Sequence, residues 1–391
     1  MPLGRDVSAR IKQSAEEKME SAIQGATSSG GEDALFAALV WGGIYLGSLC
    51  LITLRGPSKF ILAVRHQWML FLFICLVPLS MAWSQNNVQI FINSIHALGA
   101  LCLAFCAAMH YSSHDNILIK DVAMVLGVVV SIHLIAIALF PSVTISYDAR
   151  WQGLTTNPNS LGLIAGLSIL FSFLHISSTR FTSKFITWMF VCIGLLALQG
   201  SQSVTAYIST FLAVGSIWVI KYVPFIAKHP AITLFVFLPF STAAGIFFLE
   251  PVLSLLLPMV GREGHLTGRL EYWGLAMALI TDKPFLGWGF DNHVAVIDYI
   301  RLPTVHFHNG FLDLMVRGGY VALIMFVVVV VTFVTRMRLW THQLQIMGWA
   351  FLTLFLIRNI TEVTILAARN LEWFLFLLLL FLVSLKTSRR T

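Results

Sequence analysis

The stretch VHFHNGFLDLMVRGGYVALIMFVVVVVTF, Val305 to Phe333, decides how the chain is read. Its second half is an unbroken apolar run that only a membrane helix accommodates. Its first half sets His306, His308, Asn309, Asp313 and Arg317 at the mouth of that helix or inside it. An asparagine side chain is a strong acceptor for the first free N–H groups of a helix, so the span is expected to start at Asn309. Those N–H groups form an anion site and disfavour an imidazolium, which helps keep His308 neutral and able to take up a proton. Asp313 precedes Arg317 by four residues, the favourable order for an ion pair along a helix. Arg317 lies ~12 Å beyond Asn309 at 1.5 Å per residue. Ionisable groups at depth cost about 2.5–3.5 kcal/mol each on insertion scales, which favours function over accident. The competing reading is a structural ion pair within a helix bundle.

Working outward, the same hydropathy recurs along the whole chain. Of 391 residues, 58% are hydrophobic and only 11% charged, with a mean hydropathy of +0.83. A soluble domain carries roughly a quarter charged residues. The expected fold is therefore all-α and polytopic, with about eleven (ten to twelve) transmembrane helices. The spans fall near 34–54, 67–84, 88–109, 119–140, 158–176, 185–199, 203–220, 231–249, 312–334, 345–362 and 371–386. A polar tail, 1–33, precedes a membrane domain, 34–391. Arg55, Lys59, Arg65, Lys120, Arg180, Lys184, Lys221, Lys228, Arg336, Arg338, Lys386, Arg389 and Arg390 fall in alternate connections, which the positive-inside rule assigns to the cytoplasm. Because these basic residues are dispersed, the net charge of +7 points to topology and not to nucleic acid. The five cysteines, Cys50, Cys75, Cys102, Cys106 and Cys192, all lie in apolar runs and suggest neither a disulfide framework nor a zinc site.

One outer connection, 250–311, is far longer than the others. Within it TGRLEYWGLAMALITDKP, from Thr267, places Leu270, Trp273, Met277 and Ile280 on one face of an amphipathic helix, with Thr267 as cap and Pro284 as stop. Gly287 and Gly289 in the following FLGWGFDN supply a tight turn. GREGHLTGRLEYW carries Arg262 and Arg269, and YDARWQGLTTNPNSLG carries Arg150 on a second outer loop. Guanidinium groups clamp phosphate in bidentate fashion, so two arginine-bearing loops and a histidine-bearing helix mouth on one side suggest a site for a phosphorylated ligand. Solvated surface charge is the alternative for any one of them alone. No DxD, HExxH or dedicated carboxylate pair accompanies them, so no metal is expected. His110 and His114 fall on the opposite side. Arg358 and Glu362, in RNITE, are expected to pair inside a span.

Taken together these stretches resemble the bacterial O-antigen ligase and O-antigen/exopolysaccharide polymerase superfamily. The likeness is carried by His308–Asn309 followed by Gly319, RWQGLTTNPNSLG, GREGHLTGR with PFLGWGF, and RNITE, over about residues 140–380. The resemblance implies glycosyl transfer at the periplasmic face of the bacterial inner membrane, without metal or other cofactor. The donor would be an oligosaccharide on undecaprenyl diphosphate. The acceptor would be a glycan on carrier lipid for a polymerase, or lipid A-core for a ligase. A flippase and a chain-length regulator are implied as partners, besides membrane lipids. His308 and Asn309 would be catalytic, with Arg150, Arg262, Arg269 and the deeper Arg317 holding the diphosphate. GREGHLTGR with PFLGWGF is more similar to the exopolysaccharide polymerases. A transporter of a lipid-linked sugar or small anion is the reading from another class. It expects broken helices and mid-membrane charges, of which His96, Asp313, Arg317, Arg358 and Glu362 are the candidates.

Overall fold

The computed structural model describes residues 30–113, 115–178, 184–229, 267–300 and 307–387. The expected span at 231–249, Arg262, His306, the tail up to residue 29 and much of the 250–311 loop lie outside these. Thirteen helices of seven residues or more carry the described fold: α1 Gly30–Arg55, α2 Pro57–His66, α3 Trp68–Leu79, α4 Asn87–Tyr111, α5 Asp115–Leu139, α6 Pro158–Ser178, α7 Lys184–Ser201, α8 Val204–Tyr222, α9 Thr267–Asp282, α10 Val294–Ile300, α11 Gly310–Met337, α12 His342–Arg358 and α13 Leu371–Thr387. No strand occurs among the described residues, only one isolated bridge between Ile145 and Trp151.

Among the described residues, seven helices are long and apolar enough to cross a membrane, or eight if a bent pair counts as one. The bent pair is α2 with the helix from Trp68, which meet at 90°. The connection expected after Arg55 is therefore itself helical. Two further expected spans correspond to α12 and α13, each 17 residues, or ~25 Å of rise. They are also the most enclosed: α12 is buried on all sides from Leu344 to Ala350, the pattern of a core helix. By contrast α1 leaves Leu54 81% and Phe36 70% exposed, an apolar surface suited to hydrocarbon. The chain is an all-helical protein with several helices fit to span a membrane.

The chain divides into two compact units. The second holds Met109–Leu266, Val331–Thr361 and Leu385–Thr391. Its core joins Val130 and Ile137 of α5, Leu161, Ala165 and Ile169 of α6, Ala197 and Leu198 of α7, and Ala206 of α8. Small residues let these backbones approach. At Gly166 a side chain would overlap Thr210 of α8.

The first unit holds Met1–Ala108, Thr267–Val330 and Glu362–Ser384. Aromatic rings interlock through it: Phe73 with Phe326, Phe326 with Phe376, and Phe105 with Phe381, centroids 5.4–6.2 Å apart. A second cluster docks α9 through Ala276, Leu279 and Ile280 onto Trp288, Phe307 and Val316. Of the expected apolar face, Ile280 is buried in this packing while Met277 is 52% exposed.

The central feature of this unit is a break in α11. Gly319 has φ 64° and ψ −167°, a region open essentially to glycine alone. An intact helix would pair the N–H of Tyr320 with the carbonyl of Val316, and that of Val321 with Arg317. Both bonds are replaced. The N–H groups of Tyr320 and Val321 donate to the carbonyls of Pro284 and Phe285 at 2.7 and 3.3 Å. The carbonyls of Val316 and Arg317 accept from Trp288 and Gly289 at 2.8 and 2.9 Å. Gly287, with φ +61°, turns the 284–289 segment so that it fits; a side chain at Gly319 would overlap the Phe285 carbonyl. Gly319→Ala is expected to lower stability by at least about 1–3 kcal/mol. Gly274→Ala, on open helix surface, should cost nothing. Thermal unfolding of the purified variants in detergent measures both.

Candidate functional site

Asn309 caps α11 as its chemistry predicts: its Oδ1 accepts the N–H groups of Phe311 and Leu312, each at 3.0 Å. The preceding residue, His308, has φ 48°. A left-handed backbone is uncommon outside glycine and marks a position held by its surroundings. The ring of His308 stands edge-on to Tyr272 of α9, centroids 6.3 Å apart, and the residue is half-buried. Phe307 beside it is fully buried and packs edge-on to His293, so the segment entering α11 is anchored on one side of the histidine.

Arg269 lies in the first turn of α9, one turn before Tyr272, and these two share a helix face. Its guanidinium is 3.5 Å from the Glu362 carboxylate. The first unit thus brings Arg269, Tyr272, Glu362, His308 and Asn309 together through two direct contacts, Arg269 with Glu362 and Tyr272 with His308. The span expected over 345–362 ends as a helix at Arg358, so Glu362 lies beyond it. Arg358 donates to the carbonyl of Asn159 at 3.1 Å.

One turn into α11, Asp313 is 2% exposed and bridges two partners. His293 Nε2 lies 2.7 Å from Oδ1, and Arg317 Nη2 lies 2.7 Å from Oδ2. The expected Asp313–Arg317 pair is therefore present, extended by a histidine that sequence reasoning did not single out. Arg317 also reaches the Ile365 carbonyl at 3.4 Å and lies over the Phe290 ring at 5.4 Å. Asp291, fully buried, accepts from the Ser84 hydroxyl at 2.8 Å and the Ala295 N–H at 3.1 Å. That fixes the turn presenting His293. The available signal was the run FDNH just past the paired glycines, where polar residues follow a tight turn.

Arg150 belongs to the second unit. Its Nε donates to the Ser201 carbonyl and its Nη2 to Asn159 Oδ1, both at 2.9 Å, with Asp148 3.8 Å from Nη1. It is 7% exposed, and it ties the loop after α5 to the end of α7 and the start of α6. Arg262 lies outside the described residues.

No family model matches the chain. Over 200 residues it is 26% identical to the exopolysaccharide production protein ExoQ of Rhizobium meliloti (strain 1021), covering 46% of this chain and 45% of that protein. The chain thus matches less than half the length of this curated relative.

The buried Asp313 is the hinge of the charge network, and removing one member of a buried pair typically costs about 3–5 kcal/mol. Asp313→Ala should destabilise the protein by that order. Adding Arg317→Met should restore a large part, because the stranded cation is gone. Unfolding midpoints of the two single variants and the double variant close the cycle.

Proposed function

We propose that this protein is a membrane glycosyltransferase. In this reading it joins oligosaccharide units carried on undecaprenyl diphosphate into exopolysaccharide or O-antigen, as a polymerase. The observation that carries the reading is the strained, half-buried His308 at the capped start of α11, beside the Arg269-bearing end of α9. In the proposed reaction His308 takes the proton of an acceptor hydroxyl. The hydroxyl oxygen attacks the anomeric carbon of the donor, the bond from that carbon to the diphosphate oxygen breaks, and the carrier diphosphate leaves with the electron pair. Arg269, with Arg262 from the same loop, would stabilise the developing charge. Arg150 would serve by positioning its loop, and Arg317 by its cation further along the helix. Asn309 holds the helix start and so orients His308. General-base assistance is worth about 10²–10⁴-fold, and one fixed donor to a developing anion about 2.7–4 kcal/mol.

The inner membrane, a site facing the periplasm, and the implied flippase and chain-length regulator belong to this proposal. So does a ligase variant of the same chemistry, in which lipid A-core is the acceptor. The likeness to an exopolysaccharide production protein supports the polymerase. One observation favours transport: α11 is broken at Gly319, as helices of transporters often are. Here, however, the backbone groups released by the break bond to the 284–289 turn, whereas a transport site leaves such groups to bind cargo.

His308→Ala and Arg269→Ala should each abolish chain extension in cells, with protein level and membrane insertion unchanged. Normal polymer length in both variants would refute the mechanism. Deleting the gene separates the readings. Single repeats attached to lipid A-core indicate a lost polymerase, long chains stranded on the carrier a lost ligase, and unaltered glycans with failed uptake or export a transporter.

A further inference from the structure

A cavity of ≈ 380 Å³ opens within the first unit, between α4, the turn after Phe290 and the loop leading into α13. Its polar lining among the described residues consists of Asn93, His96, Asn292, Arg317, Arg369 and Asn370, with no Asp or Glu among them. This size suits a small ligand, and pockets of this kind orient a ligand through a few fixed polar groups.

The groups differ in how far the protein already occupies them. The charge of Arg317 is offset by Asp313 at 2.7 Å. Arg369 is exposed, and no carboxylate among the described residues lies within ion-pair distance of it. The carboxamides are turned by their acceptor ends. Asn292 Oδ1 accepts from Asn93 Nδ2 at 3.0 Å, and Asn370 Oδ1 accepts the Glu372 N–H at 2.8 Å. Their N–H₂ groups remain as donors. His96 meets the Tyr45 hydroxyl through Nδ1 at 3.1 Å, which leaves Nε2 as the nitrogen available to a ligand. Asn292 has φ 58°, a left-handed conformation that asparagine adopts readily.

A concave site offering two guanidinium groups, carboxamide N–H groups and an imidazole, with no acid among its described lining residues, is built for an oxyanion. We propose that this cavity binds the phosphate or carboxylate of a substrate, as a site separate from the mouth of α11. Only the further statement that the ligand belongs to a glycan, as the acidic group of the acceptor or the diphosphate of a second carrier lipid, rests on the proposed glycosyl transfer. On that view Arg317 spans both places. Asp313 on α11 orients it, and the cavity uses its remaining donors.

The test is calorimetric titration of the full-length protein in nanodiscs with inorganic pyrophosphate, farnesyl diphosphate and glucuronate. At least one should bind the unaltered protein, and binding should weaken as salt rises, because the recognition is ionic. Arg369→Gln should weaken it by about ten- to a hundredfold, while Arg369→Lys keeps part of it. Binding of the two diphosphates alone assigns the cavity to a carrier lipid, and binding of glucuronate assigns it to an acidic sugar; both support an oxyanion site. Equal binding to unaltered protein and Arg369→Gln, or no binding of any of the three probes, overturns the proposal. The histidine variant separates this from the reading above. His308→Ala should lose polymer in cells yet keep the binding that depends on Arg369. Normal polymer in that variant with binding still lost in Arg369→Gln would sink the glycosyltransferase mechanism and leave the oxyanion site standing.

Discussion

Backbone N–H and carbonyl groups inside an apolar environment must find partners, and in α11 two helical bonds are given up at Gly319. Each unsatisfied group would cost several kcal/mol in hydrocarbon. The 284–289 turn supplies four replacement bonds, to Val316, Arg317, Tyr320 and Val321. The turn is thereby fixed against the helix, and α9, which precedes it, is fixed with it. Trp288 strengthens the link, since its indole N–H donates to the Leu279 carbonyl at 3.1 Å. The position of Arg269 and Tyr272 relative to His308 follows from this docking.

The same docking sets the charges. It brings His293 from one side of the turn to Asp313, which Arg317 approaches from the other side. A buried carboxylate is offset here by basic groups at both oxygens, and removing one of them weakens that compensation. The break also ends the first part of α11 near Arg317. The guanidinium therefore lies at the edge of ordered helix, where the loop carrying Ile365 can reach it. The loop continues to Arg369, and the cavity forms where it faces α4.

A division of labour among the cations emerges. Arg150 is enclosed by carbonyl and amide oxygens of its own unit and holds a loop in place. Arg269 is shared with Glu362 at a distance that a stronger anion could displace. Arg317 is offset by Asp313. Arg369 lines the cavity with no carboxylate among the described residues within ion-pair distance. The four arginines thus differ in which acids and carbonyls the fold sets beside them.

Much of this was legible beforehand. Hydropathy determined the helical class and most of the spans, because bilayer thickness dictates run length. Local chemistry determined the cap at Asn309, the order of Asp313 and Arg317, and the turn at Gly287 and Gly289, because each depends on neighbours within four residues. Other features required the tertiary fold. Periodicity put Met277 and Ile280 on one apolar face, but which residues of α9 pack on protein is set by Trp288, Phe307 and Val316. Hydropathy carried one span on to Glu362, whereas α12 ends at Arg358. Nothing local marks Arg369, His96 and Asn292, distant in sequence, as walls of one cavity. Short-range bonds leave their signature in adjacent residues, whereas burial and long-range pairing depend on which surfaces meet.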